Sequence, residues 1–86
     1  MSFEIFYDKQ PRKFLKKLDK HIAKRIMDKI DEAFANEPVP HDAKTIVGKH
    51  GVFRIRVGDY RATYRINYEQ KRIVIFELDK RDRIYQ

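Results

Sequence analysis

Four arginines stand at positions 54, 56, 61 and 65 of an 86-residue chain, in the stretch VFRIRVGDYRATYR. Apolar and aromatic residues alternate with them. A guanidinium is planar, permanently charged, and matches two oxygens of one phosphate at once. A row of such groups is suited to gripping a phosphodiester and to stabilising the negative charge that builds on it under attack. A second basic group, Lys80, Arg81 and Arg83, closes the chain in KRDRIYQ together with Tyr85. A tyrosine among arginines can stack on an unpaired base. The same residue can equally plug a sheet edge as an apolar body. Lys49, just ahead of the first arginines, extends the basic run.

Other chemistries find less support. The chain has no cysteine, so it offers neither disulfides nor a thiolate metal site. His21, His41 and His50 have no metal-ligand spacing. His50, in GKHG, is near enough in sequence to the arginines to act as a supporting base, or is a solvated loop residue. Net charge is +7 with a pI of about 9.8. Residues 8–37 hold nine Lys/Arg against six Asp/Glu, while residues 44–86 hold eleven against five. The second half is arginine-rich, so a polyanion-facing surface should be built there. No apolar run approaches the roughly 18 residues of a membrane span. Met1 leads into SFEIFYDKQP with no basic-then-apolar leader, and the lack of cysteine fits a reducing compartment. A cytoplasmic protein with no membrane partner is expected.

The elements that must position these residues can be read from periodicity. One domain is expected over residues 1–86. FEIFY, Phe3–Tyr7, alternates as a strand and is expected inside the sheet. Asp8 can cap a helix with Pro11 in its first turn. Phe14, Leu15 and Leu18 make one apolar stripe. After a break around Leu18–Lys20, Ile22, Ile26, Ile30, Ala33 and Phe34 make another, with Lys24, Arg25 and Lys29 outward. Asn36-Glu37-Pro38 stops that helix, and EPVPHDAK reads as a loop without regular structure. VFRIRV and YRATYRIN alternate strictly about Gly58-Asp59, a two-residue turn of type II′. A second turn at Glu69–Lys71 leads into RIVIFELD, a nearly continuous apolar run and so a central strand. The order is β-α-α-β-β-β: an α+β fold, an N-terminal strand, a helical hairpin and an antiparallel three-strand meander, with the helices packed on one sheet face.

That order has a consequence for the arginines. Phe53, Ile55 and Val57 should join Tyr60, Ala62, Tyr64 and Ile66 against the helices. Arg54, Arg56, Arg61 and Arg65 then share the opposite face. Like charges on paired strands repel, so the arrangement costs stability unless acids or a ligand screen it. Glu77 and Asp79 on the next strand are the local acids. The plain alternative is a solvated sheet face whose arginine stems cover apolar area.

RIRVGDYR, the following apolar strand and the terminal KR…Y together resemble the RelE/ParE superfamily of toxins from toxin–antitoxin modules, over nearly the whole chain. The RelE branch cleaves mRNA on the ribosome, and the resemblance implies a catalytic set of Arg54 and Arg56 before the turn, Arg61 after it, Arg81 at the end of the last strand and Tyr85 stacking on a base. Arg65, Lys80, Arg83 and Lys49 would bind the RNA. The implied reaction is attack by the neighbouring 2′-hydroxyl, leaving a 2′,3′-cyclic phosphate and a 5′-hydroxyl, with no metal and no cofactor. The ribosomal A site would impose in-line geometry. The family's type member carries lysines on the first strand where this chain has arginines. Arginine does not give up its proton, so Arg54 is assigned charge stabilisation and not proton abstraction.

The resemblance implies partners as well: a cognate acidic, RelB-like antitoxin, the ribosome and its mRNA, and operator DNA reached only through the antitoxin complex. Two alternatives stay open. One is a ParE-like inhibitor that binds DNA gyrase. The other is a nucleic-acid binder without catalysis, held by salt-sensitive phosphate contacts.

Overall fold

The computed structural model describes residues 3–35, 37–40, 43–46, 48 and 50–80. Strand β1, Glu4–Tyr7, runs into helix α1, Lys9–Lys16, and then α2, Lys20–Ala33. Four strands follow: β2, Lys44–Thr45; β3, Val52–Val57; β4, Tyr60–Asn67; and β5, Arg72–Lys80. Asp8 caps α1 as its spacing predicts, its carboxylate accepting the Lys9 N–H at 2.8 Å, and Pro11 is buried in the first turn.

The strands form one five-stranded sheet in the order β1-β5-β4-β3-β2. The expected meander β3-β4-β5 is present and antiparallel. Gly58 takes a φ of 61°, while Asp59 is not among the residues of positive φ, as a type II′ turn requires. Two expectations are corrected. β1 lies at the sheet edge, not inside it, pairing parallel with β5 from Glu4 opposite Arg72 to Tyr7 opposite Ile75. The stretch read as a structureless loop ends in β2, where Lys44 and Thr45 pair with Arg54 and Phe53. Pro38 and Pro40 remain outside any strand, as their missing N–H groups demand.

Alternation sorts the two faces. Leu15 of α1 and Ile26, Ile30 and Phe34 of the α2 segment pack on Ile55, Val57, Ala62, Tyr64, Ile73, Ile75 and Leu78. Tyr64 is the centre of this layer, stacked 5.6 Å from Phe53 and edge-on to Phe34 at 4.8 Å. Its hydroxyl donates to the Pro38 carbonyl at 2.9 Å, which ties the proline loop to the core.

β5 is apolar almost throughout, yet it obeys the two-faced rule because of a bulge. Its pairing with β4 shifts register between Thr63 and Tyr64, where Glu77 and Ile75 are the partners. Phe76 is the extra residue. The shift lets Ile73 and Ile75 on one side of it, and Leu78 on the other, all face the helices and bury fully.

Candidate nucleic-acid interface

The face of the sheet turned from the helices is where the arginines meet. Arg54 stands between Lys44 of β2 and Thr63 of β4, and Thr63 pairs onward with Glu77. In the next row, toward the hairpin turn, Arg56 is opposite Arg61, which is opposite Asp79. In the row on the other side, Arg65 lies between Val52 and Val74, and Val74 pairs with Phe6. Direct cross-strand partners place their Cβ atoms about 5 Å apart. The side chains of Arg54, Arg56, Arg61 and Arg65 therefore rise from two adjacent strands over one continuous patch.

Neutralisation by internal acids would undo the site, and none is formed among the described residues. Among the described residues, no ion pair joins Arg54, Arg56, Arg61 or Arg65 to Glu77 or Asp79; the ion pair that does form, Lys24–Asp28 at 3.0 Å, lies within α2. Asp79 is engaged elsewhere, accepting the Lys80 backbone N–H at 2.8 Å. Arg56 and Arg65 are exposed and Arg54 and Arg61 half-buried. Thr63, at the middle of the patch, is only 7% exposed, so the floor between the arginines is buried. A low-dielectric floor strengthens every charge contact made above it.

The remaining expected residues divide. Lys80 pairs with Tyr60, and Tyr60 packs edge-on to Phe14 of α1, with ring centres 5.9 Å apart. That register sets Lys80 on the helix side of the sheet, away from the four arginines. Lys49, Arg81, Arg83 and Tyr85 lie outside the described residues. His50 is exposed in the turn before β3 and His21 is exposed on α2; His41 lies outside the described residues. No group of three His, Asp or Glu side chains gathers at metal-binding distance among the described residues.

Sequence reasoning missed Lys44, which joins the Arg54 row only because β2 exists. It also missed two arginine–ring contacts, Arg65 over Phe76 at 5.4 Å and Arg72 over Phe6 at 4.6 Å. The first depends on the bulge, which turns Phe76 outward. Its signal is the change of parity from Ile73 and Ile75 to Leu78, with Glu77 and Asp79 polar, which the reading of one continuous apolar run passed over.

Comparison with known proteins joins this geometry to a family. The family described as the ParE toxin of the type II toxin–antitoxin system parDE matches residues 5–85. The chain belongs to this toxin family. It is thereby a member of the RelE/ParE superfamily, which its arginine hairpin and terminal residues resemble. The ParE-family chain is 28% identical to toxin RelE1 of Methanocaldococcus jannaschii over 89 residues, spanning 100% of this chain and 98% of that one. Among solved structures, it is similar to the archaeal RelE–RelB complex from Pyrococcus horikoshii OT3: TM-score 0.75, 33% identity, 96% of this chain and 99% of that chain. It is also similar to the RelBE2 toxin–antitoxin complex of Mycobacterium tuberculosis: TM-score 0.77, 25% identity, 94% of this chain and 100% of that chain. This member of the toxin family carries Arg54, Arg56, Arg61 and Arg65 on the face its helices leave uncovered.

Proposed function

We propose that this toxin is a RelE-type endoribonuclease that cleaves mRNA in the ribosomal A site. The observation that carries the reading is the Arg54–Arg56–Arg61–Arg65 patch, set on adjacent strands and uncompensated by Glu77 or Asp79. Arg54, Arg56 and Arg61 bind the non-bridging oxygens of the scissile phosphate. As the 2′-oxygen attacks phosphorus, a further negative charge spreads over those oxygens, and guanidinium groups already in place stabilise it more than the ground state. The bond to the 5′-oxygen breaks, leaving a 2′,3′-cyclic phosphate. The 2′-hydroxyl proton passes to water, to the ribosome or to Tyr85, because arginine holds its own proton throughout. The departing 5′-oxygen takes a proton from the same surroundings. Arg81 and Tyr85 are assigned with this set, and Arg65, Arg83 and Lys49 to the RNA strand; Lys80, on the helix side of the sheet, is left out of it.

The partner follows the same reading. The relatives solved at 33% and 25% identity are complexes of RelE with RelB and of the RelBE2 pair. A cognate acidic antitoxin of RelB type is proposed to cover this basic chain in a cytoplasmic complex that reaches operator DNA through the antitoxin. A second reading, a ParE-like protein that inhibits gyrase, draws support from the ParE description of the matching family. Purified toxin added to ribosomes programmed with a defined mRNA separates them. Cleavage within the A-site codon, lost in Arg61→Ala with folding retained, supports the nuclease. Intact mRNA together with inhibited DNA supercoiling supports the gyrase reading and ends the first.

A further inference from the structure

Beyond Arg65 the open face changes character. Toward β1 it carries one exposed and one half-buried aromatic ring, Phe6 and Phe76, each with a guanidinium group laid over it. Phe6 is 40% exposed and the Arg72 guanidinium sits 4.6 Å from its ring centre. Arg65 covers Phe76 at 5.4 Å. Register places Phe6, Val74 and Arg65 in one row and Glu4, Arg72 and Asn67 in the next.

The Arg72 pair is fixed in advance of any ligand. Lys71 takes a left-handed φ of 54°, which bends the chain into β5. The Gln70 backbone N–H donates to Asn67 Oδ1 at 3.0 Å and Asn67 Nδ2 donates to Gln70 Oε1 at 3.3 Å. The same Gln70 Oε1 accepts from Arg72 Nη1 at 3.2 Å. The turn therefore holds the guanidinium at one edge while the ring supports its face. Glu4, its register neighbour, makes no ion pair with it among the described residues.

A guanidinium resting on a ring presents a flat, charged, weakly hydrated surface, on which a nucleobase stacks while the neighbouring phosphate is attracted. An apolar protein segment laid on the same spot would have to desolvate two arginines, which is costly. The patch is continuous with the candidate site: Arg65 is four residues from Arg61 on β4, about 13 Å along the strand and on the same face.

We propose that Arg72 on Phe6 and Arg65 on Phe76 form a stacking subsite for unpaired bases of the RNA strand that runs on from the cleaved phosphate. The identity of that strand as mRNA rests on the nuclease reading; the binding chemistry does not.

Two measurements on the purified full chain test it. One is binding of a short, unstructured, fluorescein-labelled oligoribonucleotide in the absence of ribosomes. Phe6→Leu should weaken it about tenfold, while Phe6→Tyr, which keeps a ring, binds like the unaltered protein. Arg72→Gln should also reduce the slope of log affinity against log salt by about 0.7. The other is mRNA cleavage on programmed ribosomes. There Phe6→Leu should raise the half-saturating toxin concentration and leave the maximal rate unchanged, whereas Arg61→Ala lowers the rate. Equal oligoribonucleotide binding by Phe6→Leu and Phe6→Tyr overturns the subsite. So does retained RNA binding with lost affinity for a RelB-type antitoxin, which makes the patch a protein-docking surface. Absence of cleavage by the unaltered protein sinks the nuclease reading, and the oligoribonucleotide measurement still decides the subsite.

Discussion

Arg56 and Arg61 face each other directly across the β3–β4 pair, flanking the Gly58-Asp59 turn, and neither forms an ion pair with a carboxylate of the described residues. Two like charges in that position work against the hairpin. Removing one should therefore separate stability from activity. Arg56→Thr is expected to stabilise the fold by about 0.2–1 kcal/mol and to slow mRNA cleavage by about 10²–10³-fold. Urea midpoints and single-turnover rates on programmed ribosomes check both. A lower midpoint would mean that Arg56 is a packing residue and that the charge tension is imaginary.

Arg54→Lys distinguishes two uses of a cation. A guanidinium stabilises charge and cannot accept a proton, whereas a lysine crowded by Lys44, Arg56 and Arg61 has its pKa pushed down and can. The variant is expected to cleave as fast as the unaltered protein or faster, with the rate rising as pH rises through the lysine's depressed pKa. A large loss at every pH would show that the bidentate fork at Arg54 is what the reaction needs.

The helices, the β3–β4 hairpin and the two-faced split of its residues were legible because each rests on local rules: a cap at Asp8, a period of 3.6 through Ile26 and Ile30, a glycine-first turn, and strict alternation. What escaped reading is non-local. β1 looks like any alternating strand, and its place at the edge beside β5 is set by tertiary pairing. β2 has two residues and exists only because Arg54 and Phe53 offer it partners. The bulge at Phe76 ends the apolar run Ile73–Phe76, and its trace in the sequence is the parity change that follows, where Glu77 and Asp79 flank the buried Leu78; reading the segment as one continuous apolar strand passed over it. The arginine patch was foreseen through alternation; its extension to Arg72 and Phe6 was not, since that needs the β1–β5 pairing.

The exposed edge of β5 beyond β1 is closed by one side chain. Gln10 Nε2 donates to the Leu78 carbonyl at 3.0 Å, and the Leu78 N–H donates to Gln10 Oε1 at 2.7 Å. The carboxamide stands where a neighbouring strand would. Gln10→Ala should cost about 1–2 kcal/mol and raise hydrogen exchange at the Leu78 amide well before global unfolding. It should also promote self-association through the uncovered edge. Unchanged exchange at Leu78 would show that solvent already reaches this edge in the folded state.

Two core tyrosines predict opposite responses to losing their hydroxyls. The Tyr64 hydroxyl is bonded to the Pro38 carbonyl, whereas the Tyr7 hydroxyl is buried without a partner among the described residues. Tyr64→Phe should destabilise by about 1 kcal/mol, and Tyr7→Phe should be neutral or stabilising, because it removes an unsatisfied polar group. Both phenols also couple the fold to alkaline pH. Burial, helped by the Asp31 carboxylate, pushes the Tyr7 phenol up from 10.0 to about 12. Burial, helped by Tyr68, raises Tyr64 as well. Each folded-state pKa lies above its unfolded value, so the folded state keeps its phenolic proton after the unfolded chain has lost it. The contribution is therefore fully present below about pH 10 and is lost as pH rises toward and through 12. Circular dichroism followed against pH should show unfolding on the alkaline side, moved to higher pH in Tyr7→Phe. An alkaline transition in Tyr7→Phe at the same pH as in the unaltered protein would place the pH sensitivity outside Tyr7.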